Sequence, residues 1–208
     1  MKLFPGVIAM AAIVVASNIL VQFLLLDGLL TWGAFSYPLA FLVTDVMNRI
    51  YGPKAARQVV LVGFVVGIVS SLIGTQIILE HGPAVSLRVA IGSATAFLVA
   101  QLLDIAVFDR LRGGKWWRAP LASTVIGSSV DTLLFFTISF AAWITIFGAA
   151  ADADVSWAWQ GAPLLLVGPE APLWVTLMLA DWVLKLLIGL LALIPFRLIV
   201  TKVSQNMV

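Results

Sequence analysis

Four aspartates lie inside long apolar runs of the sequence, where a charged side chain is costly. They are Asp45, Asp104, Asp131 and Asp181. A charge at the centre of a bilayer costs at least ~2.5 kcal/mol on insertion scales, so each carboxylate needs a partner or a water-filled cavity. A carboxylate in such a place can bind a proton or a cation, or accept hydrogen bonds from a ligand. These four side chains are therefore the first candidates for chemistry.

Two of the aspartates are followed by a base four residues later, namely Asp45 by Arg49 and Asp181 by Lys185. Residues at this spacing share a helix face, so the sequence predicts an ion pair within each helix. Such pairs either only neutralise each other while helices pack, or form part of a site. Asp131 has no base within four residues, so it requires a partner on another helix, a cation or a proton. It is the strongest candidate for proton coupling.

Aromatic and amide side chains share helix faces with the aspartates. Phe97, Gln101 and Asp104 recur at three- and four-residue spacing, and so do Asp131 and Phe135. A face that combines rings with polar groups suits a flat ligand that must stack and exchange hydrogen bonds.

Two further polar side chains leave both a functional and a structural interpretation open. Trp182 follows Asp181 directly, so its ring could stack on a ligand or face lipid. Asn18 and Gln22 share a face of the first apolar run, where their amides could contact a ligand or bond a neighbouring helix. The spacing alone does not separate these alternatives.

The composition places these residues in a membrane. Hydrophobic residues make up 62% of the 208-residue chain, charged residues only 11%, and the mean hydropathy is +1.11. A soluble domain carries roughly a quarter charged residues, so this is an integral membrane protein. No phosphate-binding loop motif occurs, so an ATPase would have to be another chain. The chain has no cysteine, which excludes disulfides and thiolate metal sites, and we expect no cofactor, no metal and no catalytic residue.

Apolar segments long enough to cross a bilayer follow one another along the chain. We predict an all-α protein with a single domain over residues 1–208 and six transmembrane helices. The predicted spans are residues 5–26, 30–50, 56–79, 86–108, 119–148 and 173–200. Pro38 lies inside the second span and should kink or break it, because proline lacks the N–H of a helical hydrogen bond.

The basic residues predict the orientation. Ten of the twelve fall in loops and termini that a six-span chain brings to one side. These ten are Lys2, Arg49, Lys54, Arg57, Arg110, Arg112, Lys115, Arg118, Arg197 and Lys202. Because basic residues are enriched in cytoplasmic loops, both termini should be cytoplasmic. The net positive charge therefore reflects topology, and we expect no direct contact with nucleic acid.

Two segments away from the helix faces that carry the aspartates also have an informative residue pattern. Residues 149–172 form the only long loop, and its tryptophans indicate an interfacial segment or a lid over an outward mouth. Gly63, Gly67, Ser71 and Gly74 recur at helical spacing in the third span. Small residues at this spacing are typical of close helix packing, so we expect no ligand there.

Several of these residues also carry a family resemblance that covers nearly the whole chain in order. The sequence resembles the queuosine precursor transporters of the VUT family, above all their proteobacterial branch. The matching segments are Tyr37-Pro38, Thr44-Asp45, Tyr51-Gly52, Ala56-Arg57, Arg88 to Asp104 with Ser93 and Gln101, Trp116 to Pro120, Ser128 to Phe135 around Asp131-Thr132, and Asp181 to Lys185. The resemblance departs from the family at Arg49, where many relatives have a glutamate.

The resemblance implies a multi-pass importer in the bacterial inner membrane. Its cargo would be a 7-deazaguanine base, such as 7-cyano- or 7-aminomethyl-7-deazaguanine, salvaged for a modified base of tRNA. Such a base presents N–H donors that a carboxylate can accept, a carbonyl that an amide or ammonium can bind, and a ring that stacks on aromatics. The candidates are Asp131 or Asp181 for the donor edge, Gln101, Asn18 or Lys185 for the carbonyl, and Trp182, Phe97 or Phe135 for stacking. Asp45, Arg49, Asp104 and Arg88 would form a coupling and charge network.

Two other functions remain as alternatives. Secondary transport without an ATPase partner is preferred, but substrate-binding subunits of energy-coupling-factor transporters have a similar size and topology. An intramembrane enzyme is a remote alternative, since Ser128 is separated by topology from the only histidine, His81, which we expect to be a solvated loop residue. The sequence leaves open whether the protein forms a homo-oligomer.

Overall fold

The computed structural model describes residues 3–80 and 82–205. Two residues used above, Lys2 and His81, lie outside this part of the chain. The described residues are mostly helical, with eight helices and three short antiparallel hairpins. The helices are α1 (Phe4–Leu20), α2 (Trp32–Ser36), α3 (Leu39–Tyr51), α4 (Pro53–Gln76), α5 (Leu87–Leu111), α6 (Arg118–Phe140), α7 (Ala149–Ala153) and α8 (Leu173–Gln205).

Each hairpin joins two strands of two or three residues in segments that the sequence assigned to helix ends or loops. The strand pairs are β1 (Leu24–Leu25) with β2 (Leu30–Thr31), β3 (Ile78–Leu79) with β4 (Gly82–Pro83), and β5 (Gly161–Pro163) with β6 (Glu170–Pro172). Pairing in this way supplies hydrogen-bond partners to backbone groups that leave the helices. Otherwise the all-α prediction agrees with the structure.

Four described helices are long and apolar enough to cross a membrane, namely α4, α5, α6 and α8. Helix α1 is apolar but shorter, with 17 residues. An all-helical membrane protein is therefore the fold class.

Two predicted boundaries were wrong. The first helix ends at Leu20 rather than at residue 26, because the chain turns into the first hairpin. The fifth predicted span ends at Phe140 rather than at residue 148, because Ala141 adopts an extended backbone.

The predicted interruption at Pro38 is present. Helix α2 ends at Ser36 and α3 begins at Leu39, so Tyr37 and Pro38 lie between two helices. Pro38 cannot donate to the carbonyl of Ala34 one turn earlier. Tyr37, whose side chain belongs to the site described below, therefore lies at the junction of α2 and α3.

The bundle has two chemically different ends. At one end the Arg49 side chain donates to the carbonyl of Arg112 at 2.9 Å, and the Arg197 guanidinium lies 4.9 Å from the Trp116 ring. We call this the basic end. At the other end lie the first and third hairpins, and we call it the hairpin end.

Helices α3, α5 and α6 pack closely where they meet at Gly127. Gly127 of α6 faces Phe41 of α3 and Asp104 of α5, and a Cβ atom at Gly127 would lie only 2.8 Å from Phe41 Cε1. Any side chain at this position would force the helices apart. The contact therefore fixes the registers in which the polar side chains of these three helices meet.

Candidate functional site

A cavity of about 340 Å³ extends from the hairpin end into the middle of the bundle. Its wall is mainly apolar and aromatic. The residues used below from this wall are Asn18, Tyr37, Phe97, Asp131, Phe135, Asp181 and Lys185. Binding pockets are typically concave, mostly apolar and supplied with a few convergent polar groups, and this cavity has that character.

Lys185 of α8 is the centre of the charged groups at the floor of the cavity. Its ammonium lies 2.6 Å from Asp181 Oδ2 one turn earlier, which confirms the predicted pair, and 2.8 Å from Asp131 Oδ2 on α6. It also donates to the Thr132 hydroxyl at 3.0 Å. These contacts occupy all three N–H donors of the ammonium. Two carboxylates and one ammonium give the cluster a formal charge of −1.

Asp131 has the cross-helix partner that the sequence required, and its two oxygens are both occupied. Lys185 bonds Oδ2, and the Tyr37 hydroxyl donates to Oδ1 at 2.8 Å. The Asp131 side chain is only 3% exposed. Both oxygens of the Asp131 carboxylate therefore already accept hydrogen bonds from protein groups.

Asp181 differs from Asp131 in one respect that matters for ligands. Its Oδ2 accepts from Lys185 and from the Thr132 hydroxyl, the latter at 2.9 Å. No donor among the described residues bonds its Oδ1, and the side chain is 13% exposed in the cavity wall. One carboxylate oxygen therefore remains available at the cavity floor.

The remaining binding candidates divide into two groups. Asn18, Phe97 and Phe135 line the cavity. Gln101 is completely buried outside it, and its Oε1 atom accepts from the Thr44 hydroxyl at 2.6 Å. Trp182 is 36% exposed, and its indole N–H donates to the Ser129 hydroxyl, so the ring lies against the outside of α6. Neither Gln101 nor Trp182 lines this cavity, and their proposed contact with a ligand stays a prediction.

The predicted pair of Asp45 and Arg49 is also wrong. Asp45 is buried and accepts from the hydroxyls of Ser123 at 3.0 Å and Thr124 at 3.2 Å. Arg49 turns away to a carbonyl at the end of α5. A guanidinium near a helix C-terminus gains from the free carbonyls there, and this contact competes successfully with the acid on its own helix.

Arg88 does not belong to a network with Asp45 and Asp104. It is fully buried at the hairpin end, where it bonds Asp152 at 2.7 Å and the carbonyls of Ile138 at 2.9 Å and Ala141. These carbonyls end α6, so Arg88 caps that helix and ties α7 to it. Its role in the structure is to hold the hairpin end together.

Two contributions to the cavity were missed by the sequence. Tyr37 was noted only beside Pro38, although a tyrosine at a helix break within an apolar run could have indicated a polar partner. Gly63, Gly67 and Ser71 pack against α1 as expected, but they also line the cavity. The absence of side chains there leaves room for a ligand as well as for a neighbouring helix.

The long loop joins the wall of the cavity at the hairpin end. Trp157 lines the cavity and packs edge-on against Phe140 with 5.7 Å between ring centroids. The Trp159 indole N–H donates to the Phe140 carbonyl at 2.6 Å. The loop is thus packed against α6, with one aromatic ring at the mouth.

The groups at the cavity floor offer the chemistry of binding. In residues 3–80 and 82–205, no group of three or more acidic or histidine side chains is placed to hold a metal ion. What the floor offers is one free carboxylate oxygen beside an ammonium, below aromatic walls. This arrangement can accept hydrogen bonds from a neutral or cationic planar molecule.

Comparisons with known proteins agree with a transport role. Residues 31–200 match the family model described as "Putative vitamin uptake transporter". The chain is 31% identical over 196 residues to the queuosine precursor transporter of Escherichia coli, covering 88% of this chain and 79% of that protein.

Two further curated relatives are similar to this chain. The chain is 32% identical to a probable queuosine precursor transporter of Haemophilus influenzae, over 79% of this chain and 66% of the relative. A probable queuosine precursor transporter of Bacillus subtilis is 28% identical over 56% of this chain and 62% of its own length. No solved structure matches the chain.

The matched region contains α3 to α6, most of α8 and all three members of the charged cluster at the cavity floor. The relatives are transporters and not enzymes, and the apolar helices fit a multi-pass membrane protein. The chain belongs to the vitamin uptake transporter family.

Proposed function

We propose that this protein imports queuosine precursors, which are 7-deazaguanine bases with a cyano or aminomethyl group at position 7. One structural observation carries the proposal: the free oxygen of Asp181 at the floor of an apolar and aromatic cavity. The names of the three relatives support the same cargo. A transported base would serve salvage for tRNA modification, with no contact between this protein and nucleic acid.

The base would lie with its donor edge toward Asp181. Its N1–H and exocyclic amine donate to a carboxylate, and Asp181 has an unoccupied oxygen while Asp131 has none. Asn18 is the better partner for the carbonyl. Its amide uses one N–H on the Val14 carbonyl at 2.9 Å and keeps the second, whereas the donors of Lys185 are all committed. Phe97 and Phe135 supply the walls between which the ring stacks.

The size and charge of the cavity favour a free base over a nucleotide. Ligand pockets span roughly 300–1,000 Å³, so 340 Å³ lies near the lower limit and suits a single bicyclic ring system. The cluster at the floor carries a formal charge of −1, which repels a phosphate. A 7-aminomethyl group, which is cationic, would be attracted.

We further propose that the chain forms one six-crossing unit in the bacterial inner membrane, with both termini in the cytoplasm. The crossings would be α1, the broken pair α2 and α3, α4, α5, α6 and α8. Arg49, Arg112 and Arg197 lie together at the basic end, which would be the cytoplasmic end under the positive-inside bias. The cavity would then be reached from the outside of the cell.

The proposed transport is secondary and needs no ATPase subunit. An energy-coupling-factor mechanism would instead require ATP and partner chains. Uptake into vesicles that contain only this protein distinguishes the two mechanisms. Accumulation in vesicles without nucleotide supports secondary transport, and dependence on ATP and added subunits contradicts it.

Binding of 7-cyano-7-deazaguanine to the purified protein tests the cargo. A ligand that binds only the folded state at a hundred times its Kd stabilises it by about 2.7 kcal/mol, which raises the melting temperature. We expect this shift with the deazaguanine and not with guanine or riboflavin. The shift should disappear in Asp181→Asn and remain in Asp109→Asn, an exposed aspartate of α5 that serves as a control. A shift with riboflavin alone would overturn the proposed cargo.

A further inference from the structure

A second pair of buried acids lies below the cavity and has no part in the site described above. Asp45 of α3 and Asp104 of α5 are 2% and 0% exposed. Both side chains pack against the same stretch of α6: the Ser123 hydroxyl donates to Asp45 Oδ1 at 3.0 Å, and Asp104 lies beside Gly127 one turn later. The two carboxyl groups are therefore neighbours between α3, α5 and α6. The sequence analysis placed them in one coupling network with Arg49 and Arg88, and neither of these bases bonds them in the structure.

The Asp104 carboxyl is the unusual member of the pair. Neither of its oxygens receives a hydrogen bond from an N–H or hydroxyl donor of the described residues, although the side chain is completely buried. Asp45 is better supplied, with hydroxyl donors on both oxygens. A buried carboxylate without any donor is costly, so something other than these donors must satisfy Asp104.

The side-chain amide of Gln101, next to Asp104, also has an atom without a hydrogen-bond partner. Gln101 lies one turn before Asp104, is completely buried, and leaves its Nε2 atom without a partner. The Thr44 hydroxyl donates to the Ala40 carbonyl and also contacts the Gln101 amide at 2.6 Å. Because a hydroxyl has one proton, the amide nitrogen would donate to Thr44 and leave the amide oxygen free. In either orientation one amide atom near the pair remains unused.

No base compensates the two acids. Among the described residues, no lysine or arginine nitrogen lies within ion-pair distance of Asp45 or Asp104. Helix α1 carries no charged residue. The helices packed around the pair carry other charged and titratable residues. They are Arg49 and Tyr51 on α3, Lys54 and Arg57 on α4, Arg88, Asp109 and Arg110 on α5, Arg118 and Asp131 on α6, and Asp181, Lys185, Arg197 and Lys202 on α8, with Tyr37 before α3 and Arg112 directly after α5.

Two neighbouring carboxylates in a dry interior repel each other unless they hold one proton between them. A cation is a poorer solution here, since a hard cation prefers six or more oxygen ligands and the pair offers fewer groups. We infer that Asp45 and Asp104 share one proton and that this proton is the coupling ion of transport. The second half of the inference rests on the proposed function.

The position of the pair suits coupling. It lies seven residues after Phe97 on α5, seven before Asp131 on α6 at Thr124, and eight after Tyr37 on α3. At 1.5 Å per residue all three helices place it about 10–12 Å from the cavity floor. This displacement is toward the basic end, because Arg49 follows Asp45 by one turn. A proton that moves between the cavity and the basic end would therefore meet this pair on its way.

Infrared spectroscopy of the ligand-free protein in lipid vesicles at neutral pH tests the shared proton without any cargo. We expect a protonated-carboxyl C=O band that shifts in D₂O, changes frequency in both Asp45→Asn and Asp104→Asn, and is absent from the double variant. Asp104→Glu, which keeps an acid, should retain a band. Asp109→Asn, on the same helix but exposed, should leave the wild-type band unchanged. Retention of the wild-type band in the double variant overturns the inference, and so does its removal by NaCl at constant pH.

The coupling role needs a second measurement on the same vesicles. An inward proton gradient should drive accumulation of 7-cyano-7-deazaguanine in the wild type. Asp45→Asn and Asp104→Asn should lose accumulation but keep exchange of labelled for unlabelled base. Undiminished accumulation in these variants contradicts coupling while the infrared band stands. Absence of any wild-type binding or exchange would instead contradict the cargo and leave the shared proton untouched.

Discussion

Lys185 of α8 reaches across the bundle to Asp131 of α6, with 2.8 Å between Nζ and Oδ2. Both side chains are almost completely buried, at 4% and 3% exposed. The contact joins two helices at the cavity floor, so it has a structural consequence as well as a proposed role in binding. The effect of this contact on stability and its effect on ligand binding can be measured separately.

Replacing Lys185 by methionine should destabilise the protein strongly. The change leaves Asp131 and Asp181 buried without their base, and breaking a buried ion pair from one side costs about 3–5 kcal/mol. We expect a lower melting temperature in detergent. The double variant with Asp131→Asn should recover part of this loss, because one of the stranded charges is removed. Equal stability of Lys185→Met and the wild type would mean that the pair contributes nothing to the fold.

Removing the hydroxyl of Tyr37 should destabilise the folded protein. In Tyr37→Phe the buried Asp131 carboxylate loses one donor, and hydrogen bonds to charged groups contribute about 1.5–3 kcal/mol of stability. We expect a lower melting temperature in detergent. Tyr51→Phe is the matched control, since Tyr51 is the only other tyrosine and makes no side-chain hydrogen bond among the described residues. A loss of the same size in both variants contradicts a specific role for Tyr37.

Substitutions at the two candidate stacking residues, Phe135 and Trp182, should have opposite effects on uptake. Phe135→Ala should reduce uptake because the ring lines the cavity. Trp182→Phe should leave uptake close to the wild type, since that indole lies against Ser129 outside the cavity and contributes one hydrogen bond of about 0.5–1.5 kcal/mol. Initial uptake rates of variants expressed at equal level decide between them. Loss of uptake in Trp182→Phe alone would reverse this assignment of the stacking position.

Filling the cavity should block binding at little cost to the fold. Ser93 lies in the cavity wall on α5, so Ser93→Trp places a large ring in a space of about 340 Å³. Val99 lies on the same helix and is 44% exposed, which makes Val99→Trp the control. We expect the deazaguanine to raise the melting temperature of the control only. Normal ligand stabilisation of Ser93→Trp would place the ligand elsewhere.

Arg88 should matter for stability and not for cargo. Arg88→Met removes the cap of α6 and leaves two carbonyls and Asp152 without their donor, which costs about 3–5 kcal/mol. Arg110→Met, at an exposed position of the same helix, should change stability by less than about 0.5 kcal/mol. Thermal unfolding measures both. If the folded fraction of Arg88→Met fails to bind the deazaguanine, Arg88 also acts on the cavity.

The sequence by itself determined the membrane class, the approximate helices, the break at Pro38 and the residues that can carry charge in the core. These properties are local, because apolar length, helical periodicity and the missing N–H of proline act within one segment. The pair of Asp181 and Lys185 was predictable for the same reason. It lies on one helix at one turn of spacing, and Asp131 bonds Lys185 in addition to Asp181 without displacing it.

Only the tertiary structure decided which candidates meet. Arg49 stands four residues after Asp45 just as Lys185 follows Asp181, yet Arg49 bonds a carbonyl at the end of α5 and Asp45 turns to hydroxyls of α6. Which partner wins depends on how neighbouring helices are rotated and how closely they pack, as at Gly127. Spacing along one helix contains no information about that rotation, so the free oxygen of Asp181 and the absence of Arg49 and Arg88 from the pair of Asp45 and Asp104 could not be foreseen.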